Sequence, residues 1–256
     1  MNNWIGLLKK EFRLTRTFLF GILTFDLLIM VGFMIASANW ETPYVTSVVG
    51  AILIGMHSLF LPLYLLTSLN TESRNIHLWL HNPHPGYKLL AAKMLNGFVA
   101  MLMSVSVVGI FALIPYFQEN TAINLAIDHI WLFGFYFLMI VSAVTISTGI
   151  WITFYWMFYQ VIRTYIGKWA LVLVFGLIGI MSWFGAWFSE TVIAKTLTEW
   201  GAIHLPSPLN MSVSQQEFDL TLSTFPFYVG NIVFDFIILV IIFLVSCWLL
   251  DRKVEV

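Results

Sequence analysis

The sequence predicts an all-α polytopic membrane protein, a single domain spanning 1–256 with six transmembrane helices. Of the 256 residues, 60% are hydrophobic and only 10% are Asp, Glu, Lys or Arg, whereas a soluble domain carries about 25% charged residues. The apolar residues gather in six stretches, at 18–38, 45–69, 89–116, 129–158, 169–189 and 227–250. Each is long enough for a helix to cross a hydrocarbon core ~30 Å thick.

The basic residues predict the orientation of these spans. If the N-terminus lies in the cytoplasm, every one of the 12 Lys and Arg residues except Lys195 falls on the cytoplasmic side or its interface, as the positive-inside rule requires. An odd number of spans would place Arg252 and Lys253 outside, so we expect both termini in the cytoplasm. Lys195 belongs to an outer segment, 190–226, that is too polar to cross. Because the basic residues form no stripe, we expect no nucleic-acid partner.

Residues 1–17 are predicted to form an amphipathic helix that lies in the cytoplasmic interface. At about 100° per residue, the apolar residues fall on one half of this helix and the basic residues on the other. The apolar set is Trp4, Ile5, Leu7, Leu8, Phe12 and Leu14, and the basic set is Lys9, Lys10, Arg13 and Arg16. Glu11 projects from the apolar half, either as an edge residue that reaches water or as a polar contact to a partner subunit.

The loop between the second and third spans is predicted to hold a short helix, about 71–82, that lies flat under the membrane. Asn70 or Thr71 can cap its start, and Glu72 then falls in the first turn, where the helix dipole favours an anion. Pro83 ends the helix because it cannot continue the hydrogen-bonding pattern.

A motif covers this loop and the start of the third span. Its positions are Glu72, Ile76, Leu78, Leu80, Pro83 and Lys93. They match the pattern Glu-x-Gly-Thr-Leu-x-Leu-Leu-Leu-x-x-Pro, with a Lys ten residues after the Pro, and the chain thereby resembles the type-2 permeases of ATP-binding cassette exporters. Arg74-Asn75 replaces the Gly-Thr pair and Trp79 replaces one Leu.

The resemblance implies a cytoplasmic docking surface. In that family the short helix is a coupling helix that docks on an ATP-hydrolysing subunit, and the N-terminal helix is an elbow. The implied coupling residues are Glu72, Arg74, Ile76, His77, Trp79, Leu80 and Pro83. The implied elbow residues are Lys9, Lys10, Glu11 and Arg13. The implied location is a bacterial plasma membrane.

The same resemblance implies the partners and the transport cycle. We expect two nucleotide-binding ATPase subunits, a second permease subunit of the same or a similar chain, and membrane lipid. ATP and Mg²⁺ would bind the ATPase, since this chain has no Gly-x-x-x-x-Gly-Lys-Ser/Thr phosphate loop; we expect no cofactor and no enzymatic activity on it. Alternating access would export a hydrophobic or amphiphilic cargo, such as a peptide, a lipid or an antibiotic, along walls of Phe, Leu, Ile and Met.

Four polar side chains inside the predicted spans are candidates for a functional role: Asp26, His57, Asn231 and Asp235. A carboxylate at a helix centre costs ~2.5–3.5 kcal/mol on insertion scales, so each faces protein or water rather than lipid. Two interpretations stay open, a translocation path or subunit contact, and a carboxyl group hydrogen-bonded to neighbouring spans. Asn231 lies one turn before Asp235 and can hydrogen-bond it.

Two other function classes remain as alternatives. A proton-coupled carrier would use Asp26 and Asp235, with His57 in the relay. An intramembrane enzyme would need those two aspartates to pair across facing spans, because the sequence has neither a His-Glu-x-x-His nor a Gly-x-Ser-x-Gly motif.

We expect neither a metal site nor a disulfide. His77, His81 and His84 have helical spacing, but Pro83 breaks the helix before the last of them and no Cys is near. Cys247 is the single cysteine, so no disulfide can form within the chain.

Overall fold

The computed structural model describes residues 3–40, 42, 44–73, 85–117, 130–207, 211–213, 218–220 and 223–253. They form two compact units, the first from Met1–Met157 and Val245–Val256 and the second from Phe158–Leu244. Five stretches are long and apolar enough to cross a membrane: Trp4–Asn39, Val45–Ser73, Gly86–Leu113, Gly134–Ser189 and Val229–Asp251. The described chain is therefore mostly helical, with the long apolar helices expected of a multi-pass membrane protein.

Eight α-helices and three short 3₁₀ turns make up most of the described chain. The helices are α1 (Asn3–Asn39), α2 (Tyr44–Met56), α3 (Phe60–Ser73), α4 (Gly86–Leu113), α5 (Ile130–Ile166), α6 (Ala170–Ser189), α7 (Val192–Thr198) and α8 (Val229–Lys253). The 3₁₀ turns are His57–Leu59, Ile114–Phe117 and Gly167–Trp169.

The predicted separation of an elbow helix, 1–17, from a first span, 18–38, is wrong for this structure, because α1 runs through both. No proline interrupts it, and its buried residues keep one helical period across residue 17. Those residues are Leu7, Glu11, Thr15, Leu19, Asp26, Met30 and Ser37. Of the apolar set predicted for the elbow helix, Trp4, Ile5 and Phe12 are exposed and Leu7 is buried. The N-terminal residues are thus an extension of the first long helix.

The second predicted span is one apolar stretch, interrupted by a 3₁₀ turn. Pro62 has no N–H, so the carbonyl of Ser58 loses its helical hydrogen-bond partner. Helix α5 lies beside this break. The Thr145 hydroxyl donates to the carbonyl of His57 at 3.3 Å, and Thr148 Oγ1 approaches the Ser58 carbonyl to 3.4 Å. Threonine hydroxyls of a neighbouring helix are a known way to satisfy carbonyls freed by proline in a membrane helix.

The predicted start of a separate short helix at residue 71 is also wrong. Helix α3 continues to Ser73, and the Thr71 hydroxyl donates to the carbonyl of Thr67 one turn earlier rather than capping a new helix. Asn70 Oδ1 accepts a hydrogen bond of 2.8 Å from Trp156 Nε1. The rest of the predicted coupling helix, residues 74–82, lies outside the described residues.

The core of the first unit lies where α4 packs against α1, α2 and α3. Its apolar centre consists of Leu19, Phe60, Leu61, Tyr64, Leu65, Ala100, Met101 and Val105. Helices α3 and α4 approach closely at Gly97, where a Cβ atom would lie 2.6 Å from side-chain atoms of Leu61 and Tyr64. Small residues at such contacts let membrane helices pack tightly.

The end of α8 is attached to the start of α4. Pro85 precedes α4 and supplies no side-chain cap, but Asp251 Oδ1 accepts a hydrogen bond of 2.8 Å from the Gly86 amide. A carboxylate at a helix N-terminus satisfies a free N–H and interacts favourably with the helix dipole. The C-terminal helix therefore caps a helix that begins 165 residues earlier in the chain.

The second unit departs from the all-α prediction in the segment 190–226. Thr191 caps the short helix α7 by accepting from the Ala194 amide. Two antiparallel strand pairs follow, β1 (Ala202–Ser207) with β4 (Ser223–Tyr228), and β2 (Met211–Val213) with β3 (Phe218–Leu220). Because each sheet has only two strands, every strand is an edge, where proline is tolerated. Pro206 and Pro226 accordingly lie within strands.

Candidate functional site

A buried ionic network joins α1, α3 and α4 beside the end of α3. We call it the lysine cluster: Lys10, Glu11, Ser68, Glu72 and Lys93. Lys93 Nζ lies 2.7 Å from Glu11 Oε2, 2.8 Å from Glu72 Oε2 and 2.8 Å from Ser68 Oγ. Lys93 is 0% exposed and Glu11 is 1% exposed. Lys93 Nζ donates hydrogen bonds to Glu11 and Ser68, and its contact with Glu72 is an ion pair in which Glu72 Oε2 has no hydrogen bond.

The lysine cluster contains two carboxylates and two ammonium groups, so its formal charges balance. Lys10 Nζ, which is partly exposed, lies 2.6 Å from Glu72 Oε1 and 3.9 Å from Glu11 Oε1. Glu11 Oε1 is buried without a hydrogen bond. Glu72 therefore has two cationic partners at short range, whereas Glu11 depends chiefly on Lys93. Buried charges are tolerated only when paired in this way.

A chain of neutral hydrogen bonds continues from the lysine cluster along the same helices. Asn96 Nδ2 donates to Tyr64 Oη at 2.9 Å, and Tyr64 Oη lies 2.6 Å from Thr15 Oγ1. The Thr15 hydroxyl also donates to the Glu11 backbone carbonyl. The polar groups follow helical spacing, one turn apart within each helix, and together they hold α1 against α3 and α4.

This network changes the interpretation of three charged residues. Glu11 is buried and pairs with Lys93 of its own chain, so it is neither an edge residue that reaches water nor a free contact for a partner subunit. Lys93 was expected at the cytoplasmic interface but is fully buried. Glu72 was expected on a docking surface, yet its carboxylate points into the protein. The only signal in the sequence was the four-residue spacing of Tyr64, Ser68 and Glu72, which places them on one helix face.

A second polar group lies deeper in the first unit. We call it the aspartate–histidine cluster: Asp26 of α1, His57 of the 3₁₀ turn and Ser104 of α4. The Ser104 hydroxyl donates to Asp26 Oδ2 and lies 3.1 Å from His57 Nε2, and Nε2 lies 3.4 Å from Asp26 Oδ2. His57 Nδ1 faces the Leu53 carbonyl at 2.7 Å. All three side chains are buried.

The arrangement of Asp26, His57 and Ser104 differs from that of a hydrolytic triad. In such a triad the carboxylate binds Nδ1 of the histidine while the serine binds Nε2. Here the carboxylate and the serine both approach Nε2, and Nδ1 is used by the Leu53 carbonyl. Asp26 therefore does not hold His57 through Nδ1 as the carboxylate of a triad does.

The structure brings together two of the four polar residues singled out inside the spans. Asp26 and His57 are in contact, and the serine that joins them carried no signal of its own in the sequence. Asn231 and Asp235 belong to the second unit, are exposed on α8 and make no hydrogen bond with one another. Of the predicted coupling residues, Arg74, Ile76, His77, Trp79, Leu80 and Pro83 lie outside the described residues.

The remaining elbow residues, Lys9 and Arg13, are exposed on α1 beside the buried Glu11. Within the described parts of the chain, no group of three or more His, Cys, Asp and Glu side chains is placed to hold a metal ion.

The two clusters give this chain a charged anchor at one level of the α1–α3–α4 interface and a titratable group at another. Comparisons of the chain with protein-family models, with curated proteins and with solved structures gave no match.

Proposed function

We propose that this chain is the permease subunit of an ATP-binding cassette transporter that exports a hydrophobic or amphiphilic cargo. The observation that carries the proposal is the contact between Glu72 and Lys93, whose charged atoms lie 2.8 Å apart. These residues occupy the first and last positions of the permease-like motif. They lie on either side of the segment 74–84, which holds most of the coupling helix that the resemblance implies at about 71–82.

The described residues on either side of this segment are held by other helices of the first unit. At one end, Glu72 is held by Lys10 of α1 and Lys93 of α4. At the other end, the Gly86 amide is held by Asp251 of α8. A force applied to 74–84 would therefore reach three long helices through short, charge-assisted contacts. This is the mechanical requirement of a loop that transmits the motion of an ATPase into the membrane.

The six-span topology is part of the proposal. The apolar stretch Gly134–Ser189 has 56 residues, which at ~1.5 Å per residue would extend ~84 Å as one helix, far more than a bilayer core needs. Gly167 has a φ of +60°, a conformation that favours glycine, and it breaks the stretch between α5 and α6. Two crossings there give six in all, with both termini and the segment 74–84 in the cytoplasm of a bacterial cell.

The cargo class follows from the apolar character of the long helices. Helix α6 carries exposed large side chains, including Trp183, Phe184 and Trp187, and no charged residue. A path between two such subunits would have apolar walls, which suit a lipid, a hydrophobic peptide or a lipid-active antibiotic. Alternating access would then be driven by a separate pair of ATPase subunits.

The decisive experiment is reconstitution with candidate nucleotide-binding ATPase subunits. We expect the full-length chain to form a stable complex with one of them and to stimulate its ATP hydrolysis in proteoliposomes. Trp79→Ala should abolish the stimulation, whereas Trp183→Ala, which alters an exposed tryptophan of α6, should leave it intact. Glu72→Arg is a poor probe of docking because it would disrupt the lysine cluster. The proposal is wrong if neither a complex nor stimulation is seen, or if Trp79→Ala has no effect.

A proton-coupled carrier is the second candidate, and the contact between Asp26 and His57 is the observation that favours it. A carrier of that kind would transport cargo on a proton gradient without any ATPase and would lose transport on Asp26→Asn. The ATP-driven permease would instead lose transport when the ATPase is omitted. The two candidates are distinguished by measuring cargo flux with each energy source alone.

A further inference from the structure

The aspartate–histidine cluster is a closed triangle of buried polar atoms, and the number of hydrogens available to it determines its charge. Its three corners are Asp26 Oδ2, Ser104 Oγ and His57 Nε2, with each pair in contact. A buried acceptor without a hydrogen to bind is costly in a medium of low dielectric constant. The triangle is therefore favourable only if its acceptors are matched by hydrogens.

The second ring nitrogen of His57 fixes how many hydrogens are present. Nδ1 lies 2.7 Å from the Leu53 carbonyl oxygen, and because a carbonyl can only accept, Nδ1 must carry a hydrogen. A neutral imidazole then has none left for Nε2. If Asp26 were ionised as well, the Ser104 hydroxyl would be the sole hydrogen of the triangle. Nε2 and the carboxylate would then face each other at 3.4 Å with one of them unbonded.

We propose that Asp26, His57 and Ser104 form a binding site for one proton, taken up from water. With this proton on Nε2, the ring donates to Ser104 and the Ser104 hydroxyl donates to Asp26. With the proton on Asp26, the carboxyl donates to Ser104 and the hydroxyl donates to Nε2. Both arrangements satisfy the acceptors and leave the cluster without net charge, and Ser104 connects them as a relay.

The surroundings favour one bound proton rather than none or two. No bound proton would leave a negative charge, and two would leave a positive one, in an apolar site where the His57 ring stacks on Phe60 at 5.8 Å. Among the described residues, no other ionisable side chain pairs with Asp26 or His57, and Thr145 of α5 contributes only a hydroxyl, to the His57 carbonyl. The charged groups of the lysine cluster begin ~22 Å away along α1, 15 residues at ~1.5 Å each.

The site is tested on the full-length chain in lipid nanodiscs, with ¹⁵N-labelled histidine and infrared spectroscopy at neutral pH. The nitrogen shifts report the protonation of each ring nitrogen of His57, and the carbonyl stretch of an undissociated carboxyl reports Asp26. We expect one of two results: both ring nitrogens protonated beside an ionised Asp26, or Nδ1 alone protonated beside a protonated Asp26.

Two controls assign the signals. His57→Gln should remove the histidine resonance and Asp26→Asn should remove the carboxyl band. If His57→Gln does not fold, a chain that keeps His57 and replaces the other histidines (77, 81, 84, 129 and 204) by Gln gives the same assignment. A singly protonated ring beside an ionised Asp26 at neutral pH overturns the inference, and so do protons on both groups or a hydrogen on Nε2 alone. The result is independent of the proposed function, since no ATPase or cargo takes part.

Discussion

Replacing Lys93 by Met tests whether the lysine cluster holds the first unit together. Met keeps the length and apolar stem of the side chain, so the change removes the charge without opening a large cavity. Lys93 is fully buried, donates hydrogen bonds to Glu11 and Ser68, and forms an ion pair with Glu72. Without Lys93, the carboxylates of Glu11 and Glu72 differ in the cationic partner that remains to them. That difference determines the expected loss in the free energy of unfolding.

Glu72 keeps Lys10 at 2.6 Å after the replacement, whereas Glu11 is left with Lys10 at 3.9 Å as its nearest cation. Only the Glu11 carboxylate therefore loses its short-range cationic partner. Removing one partner of a buried ion pair costs about 3–5 kcal/mol, because an uncompensated charge remains in the interior. We expect Lys93→Met to lower the free energy of unfolding by this amount.

The free energy of unfolding is measured by titrating the chain with SDS in mixed micelles and following tryptophan fluorescence. Lys88→Met is the matched control, since Lys88 lies in the same helix and its ammonium lies 6.0 Å from the centre of the neighbouring Tyr87 ring; its loss should cost about 1 kcal/mol or less. Glu11→Gln combined with Lys93→Met removes both members of the pair and should recover most of the loss. The reasoning fails if Lys93→Met costs no more than Lys88→Met, or if the double variant is no more stable than Lys93→Met alone.

Three further predictions use the same unfolding assay with paired variants. Gly97→Ala should destabilise the chain by about 1–3 kcal/mol, because the new methyl overpacks the α3–α4 contact, whereas Gly109→Ala, where a Cβ meets nothing within 4 Å, should not. Asp251→Ala should cost about 0.5–2 kcal/mol through loss of the α4 cap and should speed hydrogen exchange at the start of α4. Asp251→Asn keeps the accepting oxygen, so its stability and its hydrogen exchange should match those of the unaltered chain. Ser104→Ala should cost about 1–3 kcal/mol, since it leaves a buried acceptor unpaired, whereas Ser106→Ala, whose hydroxyl bonds its own helix, should change little. Equal effects within any of the three pairs would contradict the corresponding contact.

Properties that depend on local sequence could be predicted well. Hydropathy and length located the long apolar stretches, and the predicted span 89–116 agrees with the observed α4 (Gly86–Leu113) to within a few residues. The agreement does not extend to every helix, since α1 begins at Asn3 rather than at residue 18. Locating a span requires only a run of apolar residues long enough to cross a membrane.

Properties that depend on contacts between residues far apart in the sequence could not be predicted. Glu11 and Lys93 are 82 residues apart, and a basic residue near the end of an apolar stretch ordinarily reaches the interface. Only the packing of α1 against α4 shows that Lys93 turns inward. Asp26 and His57 were both singled out inside spans and considered for one relay, but the sequence did not show that Ser104 would join them. Proline interrupts the alternation of β1 and β4, and β2 and β3, with three residues each, are too short to show one.

The position of the lysine cluster separates two ways in which a permease of the proposed kind can fail. Residues of 74–84 would contact the ATPase directly, so their replacement would abolish binding and stimulation together. Lys93 and Glu11 belong to the lysine cluster, which connects α3 and α4 to α1. Because packed interfaces have discrete arrangements rather than continuous ones, loosening this connection would leave the ATPase bound and active but disconnect it from the long helices. ATP hydrolysis that persists without cargo movement is therefore the failure expected of the lysine cluster, and loss of the complex is the failure expected of the segment it anchors.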